Sequence, residues 1–290
     1  MALSTFKQLP SLPGYDRVPL SPRHACKQLH EELWFHTSYV DGDQVVVEGN
    51  LPAFHVFYNA RPDRRVDLVA ACEVVRQATE IASRSVMMLG RRSLFVILGI
   101  SLRIPHSAAC SFAPGASISV HIPSSSVRTS SDGQAYGIRG EIHVRIDGAQ
   151  IEASVDVAFL DASSYGALRG APLHALVPAR ADDVGPGRET NDLAMLLTPP
   201  ASTGSGFAAS WTRVRLPFLF DRYLDHVPGL MQAEVMKQLA VFRTAVPADE
   251  VSAALPCMVR LRFVSFAELS LGLDLQSAEV SGSTDGLRTV

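Results

Sequence analysis

Cysteine is scarce in this sequence, with 4 residues in 290, and no two of them are close together. The Cys-x-x-Cys spacing of many zinc sites is missing, as is the disulfide framework of a small secreted domain. Histidines are dispersed without the spacing of metal ligands, so we predict no metal site and no cofactor. We expect the thiols to be reduced in a cytoplasmic protein: Cys26, Cys72, Cys110 and Cys257.

The sequence also lacks a strong net charge and long hydrophobic runs. Its formal net charge is −3 and its 26 lysines and arginines are scattered, so electrostatics give no reason to expect nucleic acid as a partner. The apolar run Leu94–Leu102 is too short to cross a bilayer, and the first residues lack the layout of a signal peptide. The sequence therefore predicts a soluble cytoplasmic protein without a membrane partner.

Proline and glycine divide the chain into segments. Residues 1–25 contain four prolines and are predicted to form an N-terminal arm, whereas residues 166–205 are rich in both residue types and are predicted to be a linker. The two remaining segments, 26–165 and 206–290, are then the folded domains. The second domain is shorter by one or two strands.

Each predicted domain has a long, strongly apolar helix and several strands. Apolar residues recur at helical intervals from Val66 to about Leu89, and a second helix is predicted over Gly229–Thr244. Helices that are apolar nearly all round are buried, so we expect an α+β fold with each helix in the concavity of a sheet. The predicted strands are Gln44–Glu48, Leu94–Ile104, Ser117–Ile122, Tyr136–Ile146, Gln150–Leu160, Ser210–Phe220, Cys257–Phe263 and Glu268–Leu275.

The two helices carry the same polar cassette. A glutamate, a cation and a glutamine follow one another at positions i, i+3 and i+4, which places them on one helix face. An exposed ion pair is the ordinary interpretation of this spacing and contributes little stability. The apolar neighbours and the repetition favour a buried functional carboxylate instead, because burying a carboxylate without partners is costly. The cassettes are Glu73, Arg76 and Gln77, and Glu234, Lys237 and Gln238.

The segment from Pro228 to Gln238 resembles the central-helix motif of hotdog-fold β-hydroxyacyl carrier-protein dehydratases. In that fold the acyl thioester lies at the helix N-terminus, where free backbone N–H groups can hold a developing oxyanion. The catalytic histidine of the dehydratases has no match between Phe220 and Leu224.

The closer resemblance is to the A-factor biosynthesis (AfsA-like) double-hotdog family, and it covers roughly residues 22–272. It implies a tandem hotdog, in which a curved antiparallel β-sheet wraps each long central helix. The family pattern is Glu-x-x-Arg in both helices, but the second helix has lysine, which lacks the planar bidentate fork of arginine. The matching residues are Phe57-Tyr58, Glu73, Arg76-Gln77 and Leu94–Ile104 in the first half, and Phe220–Met231, Glu234 and Gln238 in the second.

The resemblance implies condensation of a β-ketoacyl group on acyl carrier protein with dihydroxyacetone phosphate. The product would be a phosphorylated ester or butenolide on the way to a γ-butyrolactone or furan signalling molecule. A carboxylate with a raised pKa, such as Glu73, would take a proton, and Arg76 would hold a phosphate or enolate oxygen. The predicted catalytic residues are Glu73, Arg76, Glu234 and Lys237, and the predicted substrate-binding residues are Tyr58, Gln77, Asp225, His226, Gly229 and Gln238.

Several alternatives stay open. A dehydratase or acyl thioesterase on the same fold is the enzymatic one, and an acyl-binding regulatory protein is the non-enzymatic one. His226 is either a substrate-orienting residue or a loop histidine that bonds backbone, and Asp225 fits a helix cap at least as well as a ligand contact. Both a monomer and a homodimer are compatible with the sequence.

Overall fold

The computed structural model describes ten stretches of the chain: 17–27, 30–55, 58, 67–87, 93–104, 112–170, 207–209, 226–243, 257–267 and 273–275. The chain divides into two compact units. The first comprises Met1–Val177 and Cys257–Ser265, and the second comprises Pro178–Pro256 and Phe266–Val290.

Most of the described elements belong to the first unit. Its helices are α1 (Leu68–Ser85) and α2 (Ala162–Arg169). Its strands are β1 (Val18–Pro19), β2 (Phe35–Asp41), β3 (Gln44–Asn50), β4 (Leu94–Arg103), β5 (Ser117–Pro123), β6 (Val127–Thr129), β7 (Ala135–Ile146), β8 (Ala149–Leu160) and β10 (Met258–Arg262). The second unit contributes β9 (Phe207–Ala209), α3 (Gly229–Arg243) and β11 (Leu273–Leu275).

The strands of the first unit form one antiparallel sheet in the order β1-β2-β3-β5-β7-β8-β4-β10, and β6 pairs with β7. The hairpin between β7 and β8 turns at Asp147 and Gly148, whose φ angles of 50° and 80° are both positive. Such φ values are the reason that Asp-Gly pairs favour two-residue hairpins. In the second unit, β11 pairs with β9 in a separate antiparallel ladder.

Helix α1 lies against strands β2 to β5 and provides much of the core. Every residue from Leu68 to Ser83 is buried except Arg76. Alternate residues along the strands are buried on the side of the sheet that faces the core, as Val120, Val144 and Val157 are. A long buried helix held by an antiparallel sheet is the hotdog arrangement, so the α+β hotdog fold expected for the first half is confirmed.

Element positions follow the sequence predictions closely where the structure describes them. Helix α1 lies inside the predicted span 66–89, α3 inside 229–244, and strands β4, β5, β7 and β8 match their predicted bounds within a residue or two. Strand β2 and helix α2 were not predicted. Strand β10, predicted as part of the second domain, pairs with β4 of the first unit. The predicted strand Ser210–Phe220 and most of the linker lie outside the described residues.

The tandem arrangement and the boundaries 26–165 and 206–290 stay predictions. The described part of the second unit contains a long helix and a short two-stranded ladder, which is compatible with a second hotdog. No helix in the described stretches is long and apolar enough to span a bilayer.

The expectation of four reduced thiols is wrong for Cys257, which is disulfide-bonded. Cys26 and Cys72 form no disulfide, and burial raises the pKa of the Cys72 thiol. Cysteine spacing along the sequence did not reveal the bond, because disulfide partners need proximity in the fold and not in the chain.

Candidate functional site

Glu73 lies one and a half turns into α1 and is fully buried. Arg76, one turn further along the helix, binds both oxygens of the Glu73 carboxylate. Arg76 Nε donates to Oε2 at 2.7 Å, and Nη2 donates to Oε1 at 2.8 Å. This is the bidentate geometry in which a guanidinium binds a carboxylate most strongly. The predicted i,i+3 contact is therefore present, and it is buried rather than exposed.

The ion pair continues along the helix. Arg76 Nη1 donates to Glu80 Oε2 at 2.9 Å, and Arg84 Nη2 donates to Glu80 Oε1 at 3.3 Å. Glu80 is 1% exposed, and its partners are i−4 and i+4 on the same helix face. Alternating charges thus compensate one another within the apolar interior.

Lys27 adds a second cation to Glu73 from outside the helix. Its Nζ is 3.3 Å from Glu73 Oε1 and 3.8 Å from Glu32 Oε2, and its side chain is only 8% exposed. The sequence reasoning did not identify this lysine. It lies just after a short 3₁₀ turn, Pro22–Ala25, far from α1 in the chain.

Gln77 joins α1 to the segment that precedes β2. Its Nε2 donates to Glu73 Oε1 at 2.7 Å and to the Glu32 carbonyl at 2.8 Å, while its Oε1 accepts from the Trp34 N–H at 3.1 Å. Both amide hydrogens are engaged. This geometry gives Gln77 a positioning role in the structure, and the predicted substrate contact stays untested.

The charges around Glu73 set its ionisation. Burial by itself raises the pKa of this carboxyl, but the charges of Arg76 and then Lys27, with the hydrogen bonds from Arg76 and Gln77, outweigh burial and hold the pKa well below its ordinary range. The expectation of a raised pKa is wrong. It considered burial and not the partners that the fold supplies.

An aromatic group lies beside these charges. Trp34 contacts Tyr58 edge to face at a ring separation of 5.0 Å, and His55 lies 4.6 Å from Tyr58. His55 Nε2 is 3.2 Å from Glu32 Oε2, and its Nδ1 accepts from the Tyr58 N–H at 3.2 Å. Burial and then the charge of Glu73 raise the pKa of Tyr58 well above its ordinary value.

These side chains form one contiguous group, which we call the Glu73 cluster. It joins four parts of the first unit that are distant in sequence. Four of its members, Tyr58, Glu73, Arg76 and Gln77, were predicted as site residues, and the other five were not. The members are Lys27, Glu32, Trp34, His55, Tyr58, Glu73, Arg76, Gln77 and Glu80.

The second cassette makes the same local contacts. Lys237 Nζ pairs with Glu234 Oε2, and Gln238 Nε2 donates to Glu234 Oε1 at 2.9 Å. Glu234 and Gln238 are buried, while the Lys237 side chain is 20% exposed. Because lysine carries a single charged nitrogen, Lys237 cannot make the bidentate contact with Glu234 that Arg76 makes with Glu73.

The helix starts differ between the two units. Asp67 caps α1, and its side chain accepts from the Val69 N–H at 2.9 Å. Helix α3 begins at Gly229, as the Pro-Gly signal predicted. The His226 ring contacts the Phe266 ring at 4.9 Å, while the predicted residue Asp225 lies outside the described residues.

Within the described stretches no three histidine, cysteine, aspartate or glutamate side chains are placed to hold a metal ion.

The sequence gives no local signal that Lys27, Glu32 and Trp34 belong to the Glu73 cluster. Their partners on α1 are more than 40 residues away in the chain.

Comparison with known proteins gives limited likeness. No protein-family profile and no curated protein matches the sequence. Among solved structures, the dehydratase heterocomplex ApeI:P from Xenorhabdus doucetiae is 13% identical, with a TM-score of 0.38 over 49% of this chain and 91% of that chain. The 12:0-ACP thioesterase from Umbellularia californica is 14% identical, with a TM-score of 0.43 over 84% of this chain and 86% of that one. Superpositions this loose transfer no activity.

Proposed function

We propose that this protein is an acyltransferase and cyclase that acts on a β-ketoacyl thioester carried by acyl carrier protein. The acceptor is dihydroxyacetone phosphate, and the product is a phosphorylated ester or butenolide that leads to a γ-butyrolactone- or furan-type signalling molecule. The observation that supports this proposal is the Glu73–Arg76 pair, kept ionised inside the central helix of a hotdog unit. The resemblance of the doubled cassette supplies the substrate class.

Glu73 is ionised and is the proposed proton acceptor, although its lowered pKa makes it a weak base that needs an already acidic proton. Acyl transfer requires removal of a proton from the attacking hydroxyl, and ring closure requires removal of one from the carbon between two carbonyl groups, which is already acidic. A dehydratase additionally needs a group that donates a proton to the departing hydroxyl. A carboxyl with a lowered pKa does not serve as that donor, so a dehydratase would need another residue for this step.

Arg76 retains hydrogen-bonding capacity for a substrate. Its contacts with Glu73 and Glu80 use Nε and one hydrogen on each Nη. A guanidinium carries five N–H groups, so one hydrogen on each Nη is left for a phosphate or enolate oxygen. Its side chain is 11% exposed, and Arg76 is the one residue from Leu68 to Ser83 that is not fully buried.

Two other functions each have one observation in their favour. A thioesterase uses the same ionised carboxylate to activate water. An acyl-binding regulatory protein is favoured by the contacts on Glu73. Its carboxylate oxygens are already bound by Arg76, Gln77 and Lys27, as expected of a structural rather than a catalytic carboxylate. Product analysis separates the three functions.

The test is incubation of the full chain with β-ketoacyl carrier protein, with and without dihydroxyacetone phosphate, followed by mass spectrometry. We expect a phosphorylated ester or butenolide that requires both substrates. Free β-keto acid in either mixture indicates a thioesterase, and bound but unconverted substrate indicates a binding protein. Either result contradicts the proposal.

Paired substitutions assign the chemistry to a helix. We expect Glu73→Gln and Arg76→Met to abolish product formation. Glu141→Gln is the matched control, because that glutamate is exposed on β7. Glu234→Gln tests the second cassette. If this variant loses activity while Glu73→Gln keeps it, the catalytic role belongs to α3 instead of α1.

A further inference from the structure

Trp34 carries a buried polar atom that nothing in the described part of the protein satisfies. The residue is 4% exposed, and its indole Nε1–H has no hydrogen-bond acceptor among the described residues. An indole N–H is a donor only, and buried tryptophans normally find a partner for it. A rigid, unpaired donor next to a charged cluster is a feature that the proposed chemistry has not used.

The backbone of Trp34 is fixed on both sides. Its N–H donates to Gln77 Oε1 at 3.1 Å, and its carbonyl accepts from the Asn50 N–H at 2.9 Å. Gly49 permits this approach, since a Cβ there would lie 2.0 Å from the Trp34 carbonyl oxygen. The indole ring is itself buried against the rings of His55 and Tyr58, which limits its freedom to turn the N–H towards another acceptor.

Neighbouring acceptors are already occupied. Both ring nitrogens of His55 have contacts, with Glu32 and with the Tyr58 N–H. Gln77 Oε1 is used by the Trp34 backbone itself. Among the residues that the structure describes, the remaining candidate is the Tyr58 ring, which stands at 85° to the indole.

We propose that Trp34 Nε1–H donates a hydrogen bond to a carbonyl oxygen of the bound acyl thioester. Trp34 shares its anchor, Gln77, with Glu73, so the donor and the ionised carboxylate are held in one arrangement. An uncharged donor suits a carbonyl oxygen, whereas the phosphate of the second substrate suits the guanidinium of Arg76. This inference rests on the proposed function for its substrate class.

The experiment removes the N–H and keeps the ring. Benzothienylalanine at position 34 replaces the N–H by sulfur in a ring of nearly the same shape. The probes are unreactive ketone analogues of acyl pantetheine in several chain lengths, in a β-keto series and a saturated series. Binding is measured by calorimetry on the full chain. Trp211→Phe leaves one indole signal to follow by proton–nitrogen NMR.

We expect the β-keto analogue to shift the Trp34 indole proton downfield and to bind about fivefold to tenfold more weakly to the benzothienyl protein. A similar loss with the saturated series identifies the thioester carbonyl, and a loss confined to the β-keto series identifies the β-keto oxygen. Stability should be unchanged or higher, since an unpaired donor has been removed.

Unchanged affinity in the benzothienyl protein overturns the Trp34 inference and leaves the proposed function intact. If the Trp34 N–H instead bonds to the face of the Tyr58 ring, the benzothienyl protein should have unchanged affinity for the analogues and lower stability. If the unsubstituted protein binds none of the analogues, the proposed function itself fails, and this inference fails with it. Trp34→Phe provides a second variant if the benzothienyl protein does not fold.

Discussion

Glu73→Gln removes one negative charge from the interior of α1 while keeping the size of the side chain. Arg76 and Lys27 then lose a partner that lies 2.7 Å and 3.3 Å away, respectively, and both are largely buried. Breaking a buried ion pair on one side costs about 3–5 kcal/mol when the remaining charge has no other partner. Arg76 keeps Glu80 and Lys27 keeps Glu32, so we expect a loss of unfolding free energy of up to about that size at neutral pH.

The pH dependence of stability gives a sharper form of this prediction. The pKa of Glu73 is lower in the folded protein than its ordinary value of 4.5, so ionised Glu73 stabilises the fold above that value. This stability is lost as the pH falls towards the lower, folded pKa. From about pH 5 to about pH 3.5 the loss from this group alone is about 1.2 kcal/mol. The side chain is 1% exposed, so solvent does not screen it.

Urea titrations followed by tryptophan fluorescence measure this difference. The protein, the Glu73→Gln variant and the exposed control Glu141→Gln are compared across that pH range. We expect a flatter pH dependence in Glu73→Gln only. Equal slopes in all three proteins would refute the conclusion that partners of Glu73 hold it ionised.

Three further changes test the surroundings of the Glu73 cluster. Lys27→Met should bring the pKa of Glu73 closer to its ordinary value and destabilise the fold by about 1–3 kcal/mol, measured by the same pH series; an unchanged profile would mean that Arg76 suffices. Asp67→Ala should cost about 1 kcal/mol through loss of the α1 cap, while Asp67→Asn should restore most of it in thermal unfolding. Gly49→Ala should cost about 1–3 kcal/mol by displacing the Trp34 carbonyl, and full stability would contradict the close approach described above.

Periodicity predicted the elements whose signals are local. The recurrence of apolar residues gave α1, and Asp147-Gly148 gave the hairpin between β7 and β8, because helix spacing and left-handed turns depend on neighbouring residues alone. The helix α2 also had usable signals that were missed. Asp161 caps its start and Gly170, with φ of 71°, ends it, although the segment was predicted as the start of a linker.

Strand β2 and the tertiary partner of Glu73, Lys27, were not predictable in the same way. The β2 sequence Phe-His-Thr-Ser-Tyr-Val-Asp has little apolar alternation, and its pairing with β3 provides the order that its own residues do not signal. Lys27 reaches Glu73 only because the sheet and helix bring distant segments together. Lys27 adds to a lowering of the Glu73 pKa that Arg76, a neighbour on the same helix, contributes first.

The two cassettes show how much of the local geometry their spacing along the sequence can predict. Spacing of i, i+3 and i+4 is enough to bring a cation and an amide onto the glutamate, and both helices do this. Spacing does not determine how the glutamate is held. Arg76 supplies two hydrogen bonds to Glu73 and a third to Glu80, whereas Lys237 supplies one charged atom to Glu234. Arginine in the first cassette therefore fixes the plane of the Glu73 carboxylate. Because a proton acceptor must be oriented, this supports the proposal that α1, and not α3, carries the chemistry.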